Sequence, residues 1–176
     1  NRSLTGEQVF YVNEVGTPKL KGCVFYGSQR GGHAGASIAN IGDFNGDGFN
    51  DLLIAAPREI RVVNGQNRRG VAYLVFGGPH LANNPVRNFF MLDQVGTEEL
   101  PGIVFISPYM QGTADEATID WVGAAGDVDG DGFSDILIGV SEADFVNPQD
   151  PGQRRVDAGE AYLIYGNNSG GNIVRH

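Results

Sequence analysis

Two short stretches of this 176-residue sequence each crowd acidic side chains among glycines: GDFNGDGFNDLLIAAP, from Gly42 to Pro57, and GDVDGDGFSDILIGV, from Gly126 to Val140. In the first, Asp43, Asn45 and Asp47 alternate, followed by Phe49 and Asp51; in the second, Asp127, Asp129 and Asp131 alternate, followed by Phe133 and Asp135. Oxygen side chains at positions 1, 3 and 5 converge on one point when the chain curls. Glycine at position 6, Gly48 or Gly132, supplies the backbone freedom for that curl. Position 7 offers its carbonyl whatever its side chain, so Phe is tolerated there, and Asp at position 9 closes the shell. An all-oxygen donor set suits a hard cation, and calcium above magnesium, which prefers a tight octahedron with retained waters. Asp, Asn and Gly also mark ordinary turns. The recurrence of the whole pattern, with carboxylates that repel one another when no cation is present, favours two calcium sites over two turns.

Other chemistries find less support. An EF-hand needs a bidentate Glu at position 12 and a helix beyond it, whereas position 12 is Ile54 or Ile138, inside apolar strand-like runs. The three histidines, His33, His80 and His176, stand in unrelated contexts, and no GxSxG, P-loop or HExxH pattern occurs. No catalytic residue is assigned, and His33 reads as a solvent-facing loop residue. The formal net charge of -9 argues against a nucleic-acid partner. The lone Cys23, in an apolar run, reads as an inert buried thiol and permits no intrachain disulfide. No run approaches the roughly 18 apolar residues of a membrane span.

The elements that must hold these loops repeat with them. VFYVNEVGTPKLKGCVF (Val9 to Phe25) matches FFMLDQVGTEELPGIVF (Phe89 to Phe105) at an offset of 80 residues; the acidic stretches match at 84, and GVAYLVFG (from Gly70) matches GEAYLIYG (from Gly159) at 89. Order is preserved, so one unit is duplicated, dividing the chain at 1–88 and 89–176 within a single structural domain. Short aromatic and β-branched runs bounded by glycine read as strands, near Ala36–Ile41, Asp51–Ala55, Val71–Phe76 and Phe89–Leu92 in the first unit. No helical apolar period is sustained. The segments REIRVVNGQNRRG and EADFVNPQDPGQRRVDAG read as hydrophilic loops; Arg68–Arg69 and Arg154–Arg155 recur there, as solvated charge or as a basic rim for an acidic partner.

At these residues the sequence resembles the FG-GAP repeat family, which forms the calcium-bearing blades of integrin α-subunit β-propellers and also occurs in bacterial surface and secreted proteins. VFYG (from Val24) stands for the FG part, IAAP (from Ile54) for the GAP part, with GASIANIGDFNGDGFNDLL between them and AYLVFG beyond. The second unit departs: VFIS replaces FG, IGVS replaces GAP, and TIDWVGAAGD places Asp120 and Trp121 where the first has Ala36 and Ser37. Trp121 reads as a core residue between blades, with a partner-anchoring role as the alternative.

The resemblance implies an all-β fold of two tandem four-stranded antiparallel propeller-type blades, each with its calcium loop between strands one and two. Phe89–Leu92 is then the fourth strand of the first blade, and Val9–Val12, its duplicate, the missing fourth strand of the second. Two blades do not close a ring. The chain is therefore a fragment, an oligomer-completed ring in which copies lend strands, or a compact two-blade packing. The implied function is a non-enzymatic calcium-binding module for cell-surface adhesion or protein interaction, the cation being structural. The implied partners are a protein or glycan at the surface or further copies of the chain, and the location is extracellular, cell-surface or periplasmic. The alternatives are an accessory or catalytic domain of a secreted hydrolase, and an oligomeric scaffold subunit.

Overall fold

A computed structural model of the chain describes residues 9–82, 89–109, 117–147, 149–150 and 152–167. Nearly all regular structure in it is strand. In chain order the strands are β1 (Val24–Tyr26), β2 (Ser37–Gly42), β3 (Asp51–Val63), β4 (Gln66–Val75), β5 (Phe89–Met91), β6 (Gly102–Ile106), β7 (Trp121–Gly126), β8 (Asp135–Val140), β9 (Phe145–Val146), β10 (Arg154–Arg155) and β11 (Glu160–Ile164), with one short helix, Pro79–Ala82. The principal sheet has the order β2-β3-β4-β6 and is antiparallel throughout; the second has the order β7-β8-β11. The all-β, blade-type architecture is as the sequence implies, although the second sheet has three strands among the described residues.

Alternation along the strands builds two apolar layers. On β3 and β4, Leu53, Ala55, Ala72 and Leu74 face the second sheet and pack with Val122, Ile136, Ile138 and Val140. Their neighbours Ile54, Ala56, Val71, Tyr73 and Val75 face the other way, under Phe90, Leu92, Val95 and Leu100. Each fully buried Leu or Val contributes about 1.5–3 kcal/mol relative to exposure. A break in register would move the whole set to the wrong face. The first strands of the two sheets, β2 and β7, also meet, where the Ser37 hydroxyl donates to the Val122 carbonyl (3.3 Å) and accepts its N–H (3.2 Å).

Three expectations need correction. The fourth strand of the first sheet is β6, paired from Val71↔Ile106 to Val75↔Gly102. Phe89–Met91 instead forms a three-residue parallel ribbon with β1. Phe90 and Leu92 are wholly buried on the apolar back of the sheet. The duplicate Val9–Val12 fares no better as a strand. Val9, Phe10 and Tyr11 are exposed and unpaired by any strand, and Val12–Glu14 forms a 3-10 turn, as Leu92–Gln94 does 80 residues later.

The second correction turns the expected hydrophilic loop after Pro57 into strand. β3 and β4 run on as a long hairpin, paired again from Ile60↔Arg69 to Val63↔Gln66. Its turn is Asn64-Gly65, with φ of 53° and 76°, the mirror-type turn that suits the twist of a two-residue hairpin. In the second unit the corresponding ribbon, β9 with β10, is two residues long. Arg154 donates to Asp144, and Arg155 lies over the Phe145 ring at 5.6 Å. There the basic pair is engaged within the fold and does not stand free as a rim. Trp121 is the third correction: it is 55% exposed, and its ring lies over Gly123 of its own strand.

Candidate metal centre

Both acidic stretches fold into the turn that leaves the first strand of one sheet and enters the second, from β2 to β3 and from β7 to β8. Each leaving strand ends in a bulge at a glycine of positive φ, Gly42 at 78° and Gly126 at 77°. In the first loop the Asp43 carboxylate caps the turn that follows. One oxygen accepts the N–H of Gly46 (2.7 Å) and of Asp47 (3.1 Å), the other that of Gly48 (2.8 Å). Asp127 receives the same three bonds from Gly130 (2.8 Å), Asp131 (3.1 Å) and Gly132 (3.0 Å). Asn45 and Asp129 accept from the N–H of Asp47 and Asp131, and those two residues accept from Phe49 and Phe133. The alternate side chains therefore all turn inward onto their own loop.

Position 9 has a second task that the sequence pattern did not reveal. Asp51 and Asp135 are wholly buried. Asp51 accepts the N–H of Phe44 (2.9 Å) inside its loop and that of Gly77 (2.8 Å) beyond β4. Asp135 does the same with Val128 (2.7 Å) and with Gly166 (2.9 Å) beyond β11. Each ties loop, second strand and third strand together. A Cβ on Gly77 would run into the Asn50 carbonyl, and one on Gly166 into that of Ser134, so both approaches require glycine. The recurrence of glycine after LVF and LIY was the available signal.

The charge within the loops is uncompensated by any lysine or arginine in these hydrogen bonds. Burial pushes the Asp51 carboxyl above the usual range; its two N–H bonds oppose this, while the charges of Asp47 and Asp43 add to it. Asp129 is also pushed up, by partial loss of water and by the charges of Asp131, Asp135 and Asp127, against the Asp131 N–H bond. Asp127, Asp129 and Asp135 each present a carboxylate oxygen within 4.8 Å of the other two, a cluster that could hold a metal ion. In the first loop Asn45 occupies the place of Asp129.

The loops are neighbours. The Ser134 N–H donates to the Asp43 carbonyl (2.9 Å), the Asn167 N–H donates to that of Phe44 (3.0 Å), and the Phe133 ring rests on Gly46. Asp120 lies apart from both. It accepts from Thr118 (2.7 Å) and from the Ser141 hydroxyl (2.6 Å), pinning the start of β7 to the end of β8. His33 is exposed in a left-handed turn with φ 58°.

The FG-GAP repeat model matches residues 34–75 and 121–164, the two segments that carry the loops and their flanking strands. The chain carries two FG-GAP repeats. Known relatives of these repeats are integrin α subunits. Over 130 residues the chain is 28% identical to integrin alpha-5 of Xenopus laevis, covering 73% of this chain and 10% of that protein. It is 28% identical over 132 residues to integrin alpha-IIb of Homo sapiens, 75% and 10% of the respective chains. To integrin alpha-PS5 of Drosophila melanogaster it is 30% identical over 117 residues, 66% and 10%. The chain thus spans about a tenth of the length of these relatives. No helix among the described residues is long and apolar enough to cross a membrane.

Proposed function

We propose that this FG-GAP chain is a non-enzymatic, calcium-stabilised module of an integrin-like propeller surface, used outside the cell or at its surface for adhesion or protein interaction. Asp43, Asn45, Asp47, the Phe49 carbonyl and Asp51 would hold one calcium ion. Asp127, Asp129, Asp131, the Phe133 carbonyl and Asp135 would hold the other. The observation that carries the reading is the pair of matching loops, each folding oxygen donors onto one turn with glycine wherever the curl needs it. A bound cation would supply charge neutralisation there, and these carboxylates already serve their own loop and sheet, which fits a structural role and not a catalytic one. We also propose that the two units form one structural domain, since they share a core. A surface protein or glycan, or further copies of the chain, would be the partner.

Calcium bound only to the folded state raises stability by about 2.7 kcal/mol per site at a hundredfold excess over Kd. The melting temperature should therefore fall on adding excess chelator and recover with calcium, and less fully with magnesium at equal concentration. An unchanged melting temperature in excess chelator would remove the structural role.

A further inference from the structure

The two acidic loops touch at the residues that would hold their cations, and two links run between them. In the first, the Asp135 carboxylate, at position 9 of the second loop, accepts the Gly166 N–H (2.9 Å). The next N–H along the chain, that of Asn167, donates to the Phe44 carbonyl (3.0 Å). The Phe44 N–H in turn donates to Asp51 (2.9 Å), at position 9 of the first loop. Gly166, Asn167 and Phe44 thus join the two wholly buried carboxylates. In the second link, Ser134 stands between positions 7 and 9 of the second loop, and its N–H donates to the carbonyl of Asp43 (2.9 Å), position 1 of the first. The Phe133 ring beside it rests on Gly46, whose N–H the Asp43 carboxylate accepts (2.7 Å).

These contacts are close-packed. A Cβ on Gly166 would overlap the carbonyls of both Ser134 and Phe44, one on Gly46 would strike the Phe133 ring, and one on Gly42 the Ser134 hydroxyl. Packing this tight transmits a displacement from one loop to the other. The loops are unequal, however. The second presents four carboxylates, Asp127, Asp129, Asp131 and Asp135, whereas the first presents three, with Asn45 in place of Asp129. The charge of the donor set is one of the properties that tune calcium affinity.

We infer that the second loop takes calcium first and that its occupation raises the affinity of the first loop. This rests on the calcium reading proposed above. Ordering one loop lowers the conformational cost of binding at its neighbour, which gives positive coupling. Repulsion between the two cations opposes this, but charge at exposed sites is screened over about 8 Å at physiological ionic strength, while hydrogen-bonded and packed contacts are not. Coupling between sites is commonly about 5–150-fold in affinity, and linkage makes it reciprocal.

Calorimetric titration with calcium at physiological ionic strength tests the inference. Asp131→Ala leaves the first loop to bind, and Asp47→Ala leaves the second. The product of the parent's two binding constants, divided by the product of the constants that the two variants retain, is the coupling factor. It should be about tenfold, and the constant retained in Asp47→Ala should be the tighter of the two. Asn167→Pro removes the N–H that reaches Phe44 and should pull the factor towards one, whereas Asn167→Ala keeps that N–H and should not. Circular dichroism in chelator reports folding; should an alanine variant misfold, Asp47→Asn and Asp131→Asn supply the same cycle. Two bound ions with a factor of one or less overturn the coupling and leave the calcium reading standing. A tighter first loop overturns the order of filling. A parent chain that binds no calcium overturns both readings together.

Discussion

Among the ten loop residues, Asp51 and Asp135 stand apart because each is wholly buried and accepts one backbone N–H inside its loop and one from beyond the sheet's third strand. Asp135→Ala should destabilise the chelated protein by about 1–3 kcal/mol for each buried N–H left unpaired. Asp131→Ala, at an exposed position, should cost little in chelator and instead abolish the calcium-dependent gain at its site. Urea denaturation of both variants with and without calcium separates the two; equal losses in chelator would contradict the bracing role.

A second residue-scale case is Tyr73, wholly buried, which donates to Glu59 and accepts from Arg61 (2.6 Å), with Ser28 also donating to Glu59 (2.9 Å). Burial first, then the bond to Glu59, pushes its phenol up to about 12. Because the folded value lies above the unfolded value near 10, the contribution is fully present below pH 10 and is lost as pH rises towards 12. Ultraviolet titration should show a late phenol that Tyr73→Phe removes, along with the matching alkaline drop in stability. Tyr162, pushed up to about 12 as well, would remain as a second late phenol.

Strands were legible where composition and alternation agreed. β2, β8 and the inner half of β3 and β4 follow from apolar runs bounded by glycine. The outer half of the β3–β4 hairpin was read as a loop because REIRVVNGQNRRG is polar. Its Asn-Gly turn was the stronger local signal, since it fixes the two-residue connection whatever the flanking polarity. Phe89–Leu92 misled in the opposite direction. Its aromatic and aliphatic content is strand-like, but those side chains serve the back layer of the sheet. The edge went to β6, where Gly102 permits close approach. Gly102→Ala should therefore destabilise the first sheet by about 1–3 kcal/mol, because backbone atoms cannot yield as a flexible side chain would. Thermal melting that stays parental would count against this account of the edge.

At the scale of the molecule, the shared core and the contacts between the two loops join the repeats energetically. Ser134 reaches Asp43, Asn167 reaches Phe44, and Phe133 rests on Gly46. Asp47→Ala should accordingly lower a single cooperative transition, with calorimetric and van't Hoff enthalpies in agreement, and should not split off an early-melting half. Two resolved transitions would mean that the units are independent. The first sheet has four strands and, among the described residues, the second has three.

The sequence by itself determined the donor pattern, its duplication and the β character of the chain, because ligand spacing and strand alternation are local properties of consecutive residues. Only the tertiary structure decided which runs pair at an edge and which cover a face. Val-Phe-rich segments satisfy either requirement, and the choice between them depends on what lies across the sheet. The buried bracing by Asp51 and Asp135 belongs to the same class, since its partners, Gly77 and Gly166, stand 26 and 31 residues further along the chain.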